Sequence, residues 1–552
     1  MSITEDHVSA AEAEAEAEGS PPPKSGYRRA RPVTDDVRNH CHIYLDEQIY
    51  STALTLLNDL VVTGASHPDC ENRPVVVPDP HHIELASALL IHPRPTSQEA
   101  LNIAYPSRAI IFLRNVLSIP GPVNANFGEA FSFSPVGSSR KSRGSRNAIK
   151  YEGGSSGSDT EDKQEHINGI IANNGRIRRC AKDFWHMVGW AFNCSVRYPR
   201  RWKVWKVWLD YMLDVLDADW AEREKQDQDR HYTNRDDEDH DESWGLRRQS
   251  LLVKYLSDTA NKSHAIKRVV RSAFADGDTE SLKDFAEIFP NETKQPKYQS
   301  GQKRKRDDPT GKMFGTYDEE DDAEFESEGT PESSQDDCAD EIMSGEAWLG
   351  DMESVALRQR VVMMLSRVSA YLPDCFASVV DVYDEIYQCA IRLPLPAFAL
   401  FMSTAESSQL PQVVFVSLAQ LLLLRLLPMS APRPQTIEGR NNDDVTQLIL
   451  ERCFLPFAAS SASVFDNARV SILAENFLRV LVQTGGCEYT PVLKAAVEKG
   501  ILAREAKIRG DKRRKESDIR SKADEEEVFL LKASGQRMRC QIAVLKRMTE
   551  AG

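Results

Sequence analysis

Six of the chain's eight tryptophans, Trp185, Trp190, Trp202, Trp205, Trp208 and Trp220, fall between Arg176 and Trp220, less than a tenth of its length. One buried indole dominates the packing around it. Six so close together mark either the middle of a core or the face of a partner site, and their spacing favours the core. From Trp202 the apolar positions continue at Trp205, Leu209, Met212, Leu213, Leu216 and Trp220, steps of three and four that stay on one side of an α-helix. Asp210, Asp214, Asp217 and Asp219 lie off that stripe and read as its solvated face. Upstream, Phe184, Val188, Ala191 or Phe192, and Ser195 form a second stripe. It ends at Tyr198 because proline disfavours helix in the residue before it. Two helices with a short proline turn between them predict an antiparallel hairpin.

Basic residues interleave with these aromatics: Arg178, Arg179, Arg200, Arg201, Lys203 and Lys206 are the candidate contacts for a partner or for nucleic acid. Phosphate-tracking, base-stacking grooves use these ingredients. The alternative is an aromatic stripe edged by the aliphatic stems of its lysines and arginines. Both readings stay open at this point.

The rest of the chain reads as all-α, in irregular helical arrays separated by long charged linkers. Residues 1–32 carry an Ala-Glu repeat and then a proline run, with little to bury, and are expected to be disordered. They lack the basic and apolar regions of a signal peptide, so no secretion is expected. Residues 33–134 form an N-terminal helical segment. Thr34 with Asp35 and Asp36 predicts the start of a helix that carries Val37 through Leu60 and ends near Gly64. Amphipathic segments are predicted over 81–91 and 100–117, the second interrupted at Pro106. Residues 135–167 are rich in Ser, Gly, Arg and Lys without an apolar period, and read as a flexible insertion.

The tryptophan hairpin and the helices behind it occupy 168–290. Past Trp220 a charged run is expected to fray, with helices following at 251–256, 264–274 and 282–288. Residues 291–351 form a linker of two opposed halves. Lys303, Arg304, Lys305 and Arg306 make a compact basic cluster, and Lys512, Arg513, Arg514 and Lys515 make a second; both suit the acidic groove of a nuclear-import receptor. Between Asp318 and Glu346 there are fourteen acids and no Lys or Arg, so of the net charge of −15 only −1 belongs to the rest of the chain. Such a tract repels itself, and it suits either histones or other basic proteins or simple solubility. Ser158, Thr330, Ser333 and Ser334 are candidate phosphorylation sites, where phosphate would add charge.

A C-terminal helical array fills 352–486, with faces at Val355, Val362, Leu365, Val368 and Leu372 and again from Phe376 to Tyr387. The most apolar window, Val413 to Leu424, is too short for a membrane span of about 20 residues and predicts a helix buried on all sides. A further helix is expected over 445–454. The next, 464–482, is closed by Gly485 and Gly486. Residues 487–552 are basic, amphipathic helices. Thr490-Pro491 starts the first of them, and Arg504 to Lys522 holds nine bases against four acids. Val528, Leu531, Met538, Ile542 and Leu545 then form a face broken at Gly535, which either closes the array or meets a partner helix or nucleic acid.

His40-Cys41-His42 and His81-His82 are not spaced for zinc, since adjacent residues on a helix diverge. No phosphate-cradling glycine loop, metal-ligand spacing or nucleophile elbow occurs in the sequence. The reading is therefore a nuclear, non-enzymatic scaffold in a chromatin-associated, DNA-repair or transcription complex. Its expected partners are protein subunits, with histones or nucleic acid as further candidates. No catalytic residue, cofactor, metal, small-molecule substrate or membrane is expected. The alternative is direct nucleic-acid binding through the basic-aromatic stretch and the basic C-terminal segment.

Overall fold

A computed structural model describes residues 26–63, 73–93, 105–133, 167, 171–172, 175–233, 245–257, 262–294, 349–438, 445–509 and 522–551. These build an all-α protein with almost no strand. In chain order the main elements are β1 (Ala30–Pro32), α1 (Asp35–Asp46), α2 (Tyr50–Val62), β2 (Val75–Val77), α3 (Pro80–Ile91), α4 (Tyr105–Ser118), α5 (Phe184–Arg197), α6 (Pro199–Thr233), α7 (Leu251–Ser257), α8 (Lys262–Ala273) and α9 (Thr279–Asp284). The C-terminal part adds α10 (Met352–Tyr371), α11 (Val379–Ala390), α12 (Leu395–Phe401), α13 (Gln412–Leu426), α14 (Val464–Gln483), α15 (Pro491–Ala506) and α16 (Lys522–Ala551). The chain divides into two compact units, one of residues 1–184 with 207–258 and the other of 185–206 with 259–552. The boundary between them runs through α6.

In the first unit β1 and β2 pair in parallel, Ala30 opposite Val75 and Pro32 opposite Val77. β1 thus orders the end of the 1–32 stretch expected to be disordered, by pairing with the β-branched run that lies between the predicted helices. The single helix predicted from Thr34 is two helices. Gln48 takes the left-handed conformation at φ 59°, and the chain re-enters helix at Tyr50. Thr34 contributes its carbonyl, to Arg38 N at 2.9 Å, while its side chain makes no cap bond. α4 begins at Tyr105 with Pro106 in its first turn, where the missing N–H has no helical partner to lose, and residues 100–104 of the predicted segment lie outside the described residues. α3 is not amphipathic, because every residue from His82 to Ile91 is buried.

α6 does not fray at Trp220 but runs on to Thr233. Two carboxylates on this stretch hold the chain that follows. Asp219 is buried, pairs with Arg223 at 2.9 Å and accepts from Leu251 N at 2.7 Å, at the start of α7. Asp227 accepts from Leu246 N and Arg247 N, both at 3.1 Å. These bonds satisfy amides that a helix start leaves without intrahelical partners.

In the second unit α9 stops at Asp284, short of the predicted end. The tract expected to be helix over 445–454 is one α-turn, Gln447–Ile449, followed by a π-turn, Leu450–Phe454, with Leu455 N on Leu450 O at 2.9 Å. α13 is not buried on all sides. Phe415, Leu418, Leu422 and Leu426 face the core, whereas Val413 is 77% and Leu424 is 44% exposed. Among the described residues no helix is long and apolar enough to cross a membrane. α14 ends as expected: Gly485 is left-handed at φ 71° and Gly486 N reaches back to Leu481 O at 2.9 Å. Thr490 caps α15, its hydroxyl accepting from Leu493 N at 3.0 Å.

The amphipathic C-terminal face packs within the chain. Leu531, Met538, Ile542 and Leu545 are buried, and α16 lies along α14 and α15. Gly535 does not break it. A side chain there would come within 3.1 Å of Ile501 Cγ2, so glycine lets α16 and α15 approach closely. Arg537 grips the buried Glu475 of α14 with bonds of 2.6 and 2.8 Å.

Candidate interaction surface around the tryptophans

All six tryptophans of the aromatic stretch are buried. In the second unit, Tyr198 alone separates α5 from α6, and Phe192 meets Trp202 with ring centroids 6.4 Å apart. In a straight helix ten residues span about 15 Å, so the chain turns sharply at Tyr198-Pro199.

Two carboxylates seat the indoles of this corner. Glu292 Oε2 accepts from Trp205 Nε1 at 3.1 Å and from Arg201 Nε at 2.8 Å and Nη2 at 2.6 Å. Its Oε1 accepts from Ile288 N and Phe289 N, both at 3.1 Å. Asp351 Oδ2 accepts from Trp202 Nε1 at 3.0 Å, while Oδ1 caps α10 through Ser354 N at 2.8 Å. Gly189 completes the seat, since a Cβ there would lie 2.2 Å from Phe285 Cγ. Asn193 then ties the same segment down, donating to Ser281 O and Phe285 O and accepting from Gly277 N at 2.9 Å.

Beneath the corner lies Arg358, fully buried. It donates to Ala273 O at 2.9 Å, Ala275 O at 2.8 Å and Ser354 Oγ at 3.2 Å, and its guanidinium stands 4.2 Å from the centroid of the Phe192 ring. Burial pushes its pKa down to about 9. The sequence carried a signal for it that the residue's charge concealed: Arg358 falls between Val355 and Val362 on the α10 stripe.

In the first unit, Trp208 donates to Ser87 Oγ at 2.8 Å, Tyr211 to Leu113 O at 3.2 Å, and Phe184 stacks on Tyr255 at 4.5 Å. Beside them a cavity of about 10 Å³, room for one water, is lined by Trp208, Glu84 and Tyr255 among others.

The six candidate contact residues divide by unit and by role. Arg178, in the first unit, pairs with buried Glu84 at 2.5 Å, and Arg179 beside it is exposed. In the second unit Arg201 is buried on Glu292 and Lys206 pairs with Glu353, whereas Arg200 and Lys203 are exposed one turn apart on α6. Lys303–Arg306, Lys512–Lys515, Ser158, Thr330, Ser333 and Ser334 lie outside the described residues. Arg504, first base of the basic C-terminal segment, is fully buried and donates to Leu455 O and Phe457 O at 3.0 Å, so it is not available to a polyanion.

His42 and His82 meet edge to face at 5.1 Å, and neither ring nitrogen of His82 has a hydrogen-bond partner. Among the described residues no group of three or more His, Cys, Asp or Glu is placed to hold a metal. The cleft of about 190 Å³ between α15 and α16 is lined by Tyr489, Lys494, Val497, Arg539, Ile542 and Lys546 among others. No family model, no curated protein and no solved structure matches the chain.

Proposed function

We propose that this chain is a non-enzymatic scaffold subunit of a nuclear assembly of the chromatin, DNA-repair or transcription kind, and that it works by holding protein partners. The observation that carries the reading is the use made of the buried ionisable groups. Glu84, Glu292, Arg358 and Glu475 each join segments within one unit: Glu84 holds Arg178, Glu292 seats α6, Arg358 ties α10 to carbonyls at the end of α8 and just beyond it, and Glu475 binds α16. Ionisable groups arranged for catalysis converge instead on a concave surface. The clusters Lys303–Arg306 and Lys512–Lys515 support nuclear import, and the acidic tract between them supports a basic partner such as a histone.

The test is expression of the full tagged chain. It should enter nuclei and elute with partners in fixed proportion, and neutralising both basic clusters should leave it in the cytosol. Recovery of the unaltered chain as a cytosolic monomer with no stable partner overturns the proposal.

One observation favours a second reading, direct binding of nucleic acid: Arg200 and Lys203 project from the same face of α6. Affinity for duplex DNA would then fall steeply with salt and drop on Arg200→Glu with Lys203→Glu. Absence of binding at low salt rejects it.

A further inference from the structure

α15 and α16 run antiparallel. Gly535 lies against Ile501, Arg539 pairs with Glu498, and further on Ile542 and Lys546 share a cleft with Tyr489 and Lys494, so numbers rise on one helix as they fall on the other. At this end the two helices leave a cleft of about 190 Å³. Its floor is apolar, with Val497 and Ile542 buried and Ala543 beside them. Sites for whole small molecules typically measure about 300–1,000 Å³, so this one suits a single large side chain.

The rim is cationic. Lys494, Arg539 and Lys546 line it against one lining acid, Glu498, which Arg539 holds by three contacts of 3.0–3.2 Å. Lys494 and Lys546 are exposed. The bond of Lys546 to Glu550 at 3.5 Å joins two exposed side chains, and such pairs contribute little. The surrounding helix adds to the field, since from Arg537 to Glu550 it carries four cations and one acid, with Arg537 and Arg539 paired to Glu475 and Glu498 and Lys546 and Arg547 beyond them.

We propose that this cleft binds an acidic peptide segment of a partner protein, with one bulky apolar side chain on the Val497–Ile542 floor and flanking carboxylates on Lys494 and Lys546. The inference rests on the reading of the chain as an interaction subunit and gives the chemistry of one partner. Charge complementarity selects the occupant. A basic segment would meet three cations at the rim, and an uncharged one would leave Lys494 and Lys546 unanswered. The single apolar side chain gives the contact a register that charge alone would not supply.

The experiment is fluorescence anisotropy on the full chain with a labelled dodecapeptide of Asp and Glu around one central Phe, at physiological ionic strength. Saturable binding is expected. It should weaken by about tenfold or more on Lys494→Glu with Lys546→Glu, and should be lost when the peptide's acids become Asn and Gln. Changing its Phe to Ala should weaken it several-fold. A charge-matched control, Lys283→Glu with Lys294→Glu, places the same charge change on exposed lysines elsewhere in the unit and should have little effect, with circular dichroism verifying the fold of each variant.

The proposal is overturned if the cleft variant binds like the wild type, if the control variant loses as much affinity, or if the Phe is dispensable. It is also overturned if neutralising the chain's own Asp318–Glu346 tract unmasks strong probe binding, since that would make the tract the occupant. All of these are read on purified protein, so failure here leaves the co-purification test of the scaffold reading untouched, and failure of that test leaves this one standing.

Discussion

Replacing Glu292 by Gln tests how the tryptophan corner is held. The carboxylate takes indole and guanidinium donors on one oxygen and two backbone amides on the other. A glutamine amide can satisfy only one of these sides. Turned either way, its NH2 faces donors, and the buried Arg201 loses the charge of Glu292 as well. Breaking a buried pair from one side costs about 3–5 kcal/mol, and Glu292→Gln is expected within that range. Arg201→Met removes one cation but leaves three N–H donors on the carboxylate. Its expected cost is about 1–2 kcal/mol. The ordering is the prediction. It is read from urea titrations of the full chain, as midpoint shifts at constant slope, with hydrogen exchange over 185–206 assigning the transition to the right unit. Equal costs for the two variants, or less than about 1 kcal/mol for Glu292→Gln, would refute the reasoning, because the pair would then behave like a surface salt bridge.

Four further outcomes follow from the packing and from two titratable groups shifted by burial. Gly189→Ala drives a methyl into the Phe285 ring and should cost about 1–3 kcal/mol, recovered in part by Phe285→Leu. Gly500→Ala should cost more in a thermal melt, because its Cβ would lie 1.7 Å from the Leu455 carbonyl oxygen, a backbone atom with no rotamer to yield. Burial holds the His82 imidazole down at about 3. The unfolded chain then binds a proton below about pH 6.5 that the folded chain does not, and stability falls by up to about 1.4 kcal/mol per pH unit. His82→Leu should flatten that slope in urea midpoints taken between pH 7.5 and 5. Glu222 works the other way: burial raises its carboxyl to about 7, so it is protonated in the fold first and stabilises as pH falls through 7 towards its unfolded value. Glu222→Gln should therefore steepen the acid loss.

The sequence announced helices wherever a stripe of aliphatic residues repeated at three and four. It was least informative where charged side chains held the structure. α6 continues past Trp220 through a run that reads as solvated, and the buried Asp219 and Asp227 that anchor the following chain look like any surface acids in the sequence. Arg358 hid in the same way. The break at Gln48 rests on one residue's left-handed backbone, and the π-turn at 450–454 on one extra residue in a turn, neither of which alters the apolar period. The exposed Val413 and Leu424 show the converse limit: composition registers how apolar a helix is, and the neighbours decide how much of it they cover. For the candidate contacts the aromatic stripe was readable. The division of its cations into those bonded inward, Arg178 and Arg201, and those facing water, Arg179, Arg200 and Lys203, depended on partners as distant in sequence as Glu84 and Glu292.

The burial of the tryptophan stretch leaves the proposed partners to the charged surface. Hydroxyl-radical footprinting of the native full chain, resolved by residue, measures this directly. Trp185, Trp190, Trp202, Trp205, Trp208 and Trp220 should all oxidise slowly, and at the rate of an unfolded control only in denaturant. Rapid oxidation of Trp202 or Trp205 in the native protein would contradict the account and make the aromatic corner itself the partner site.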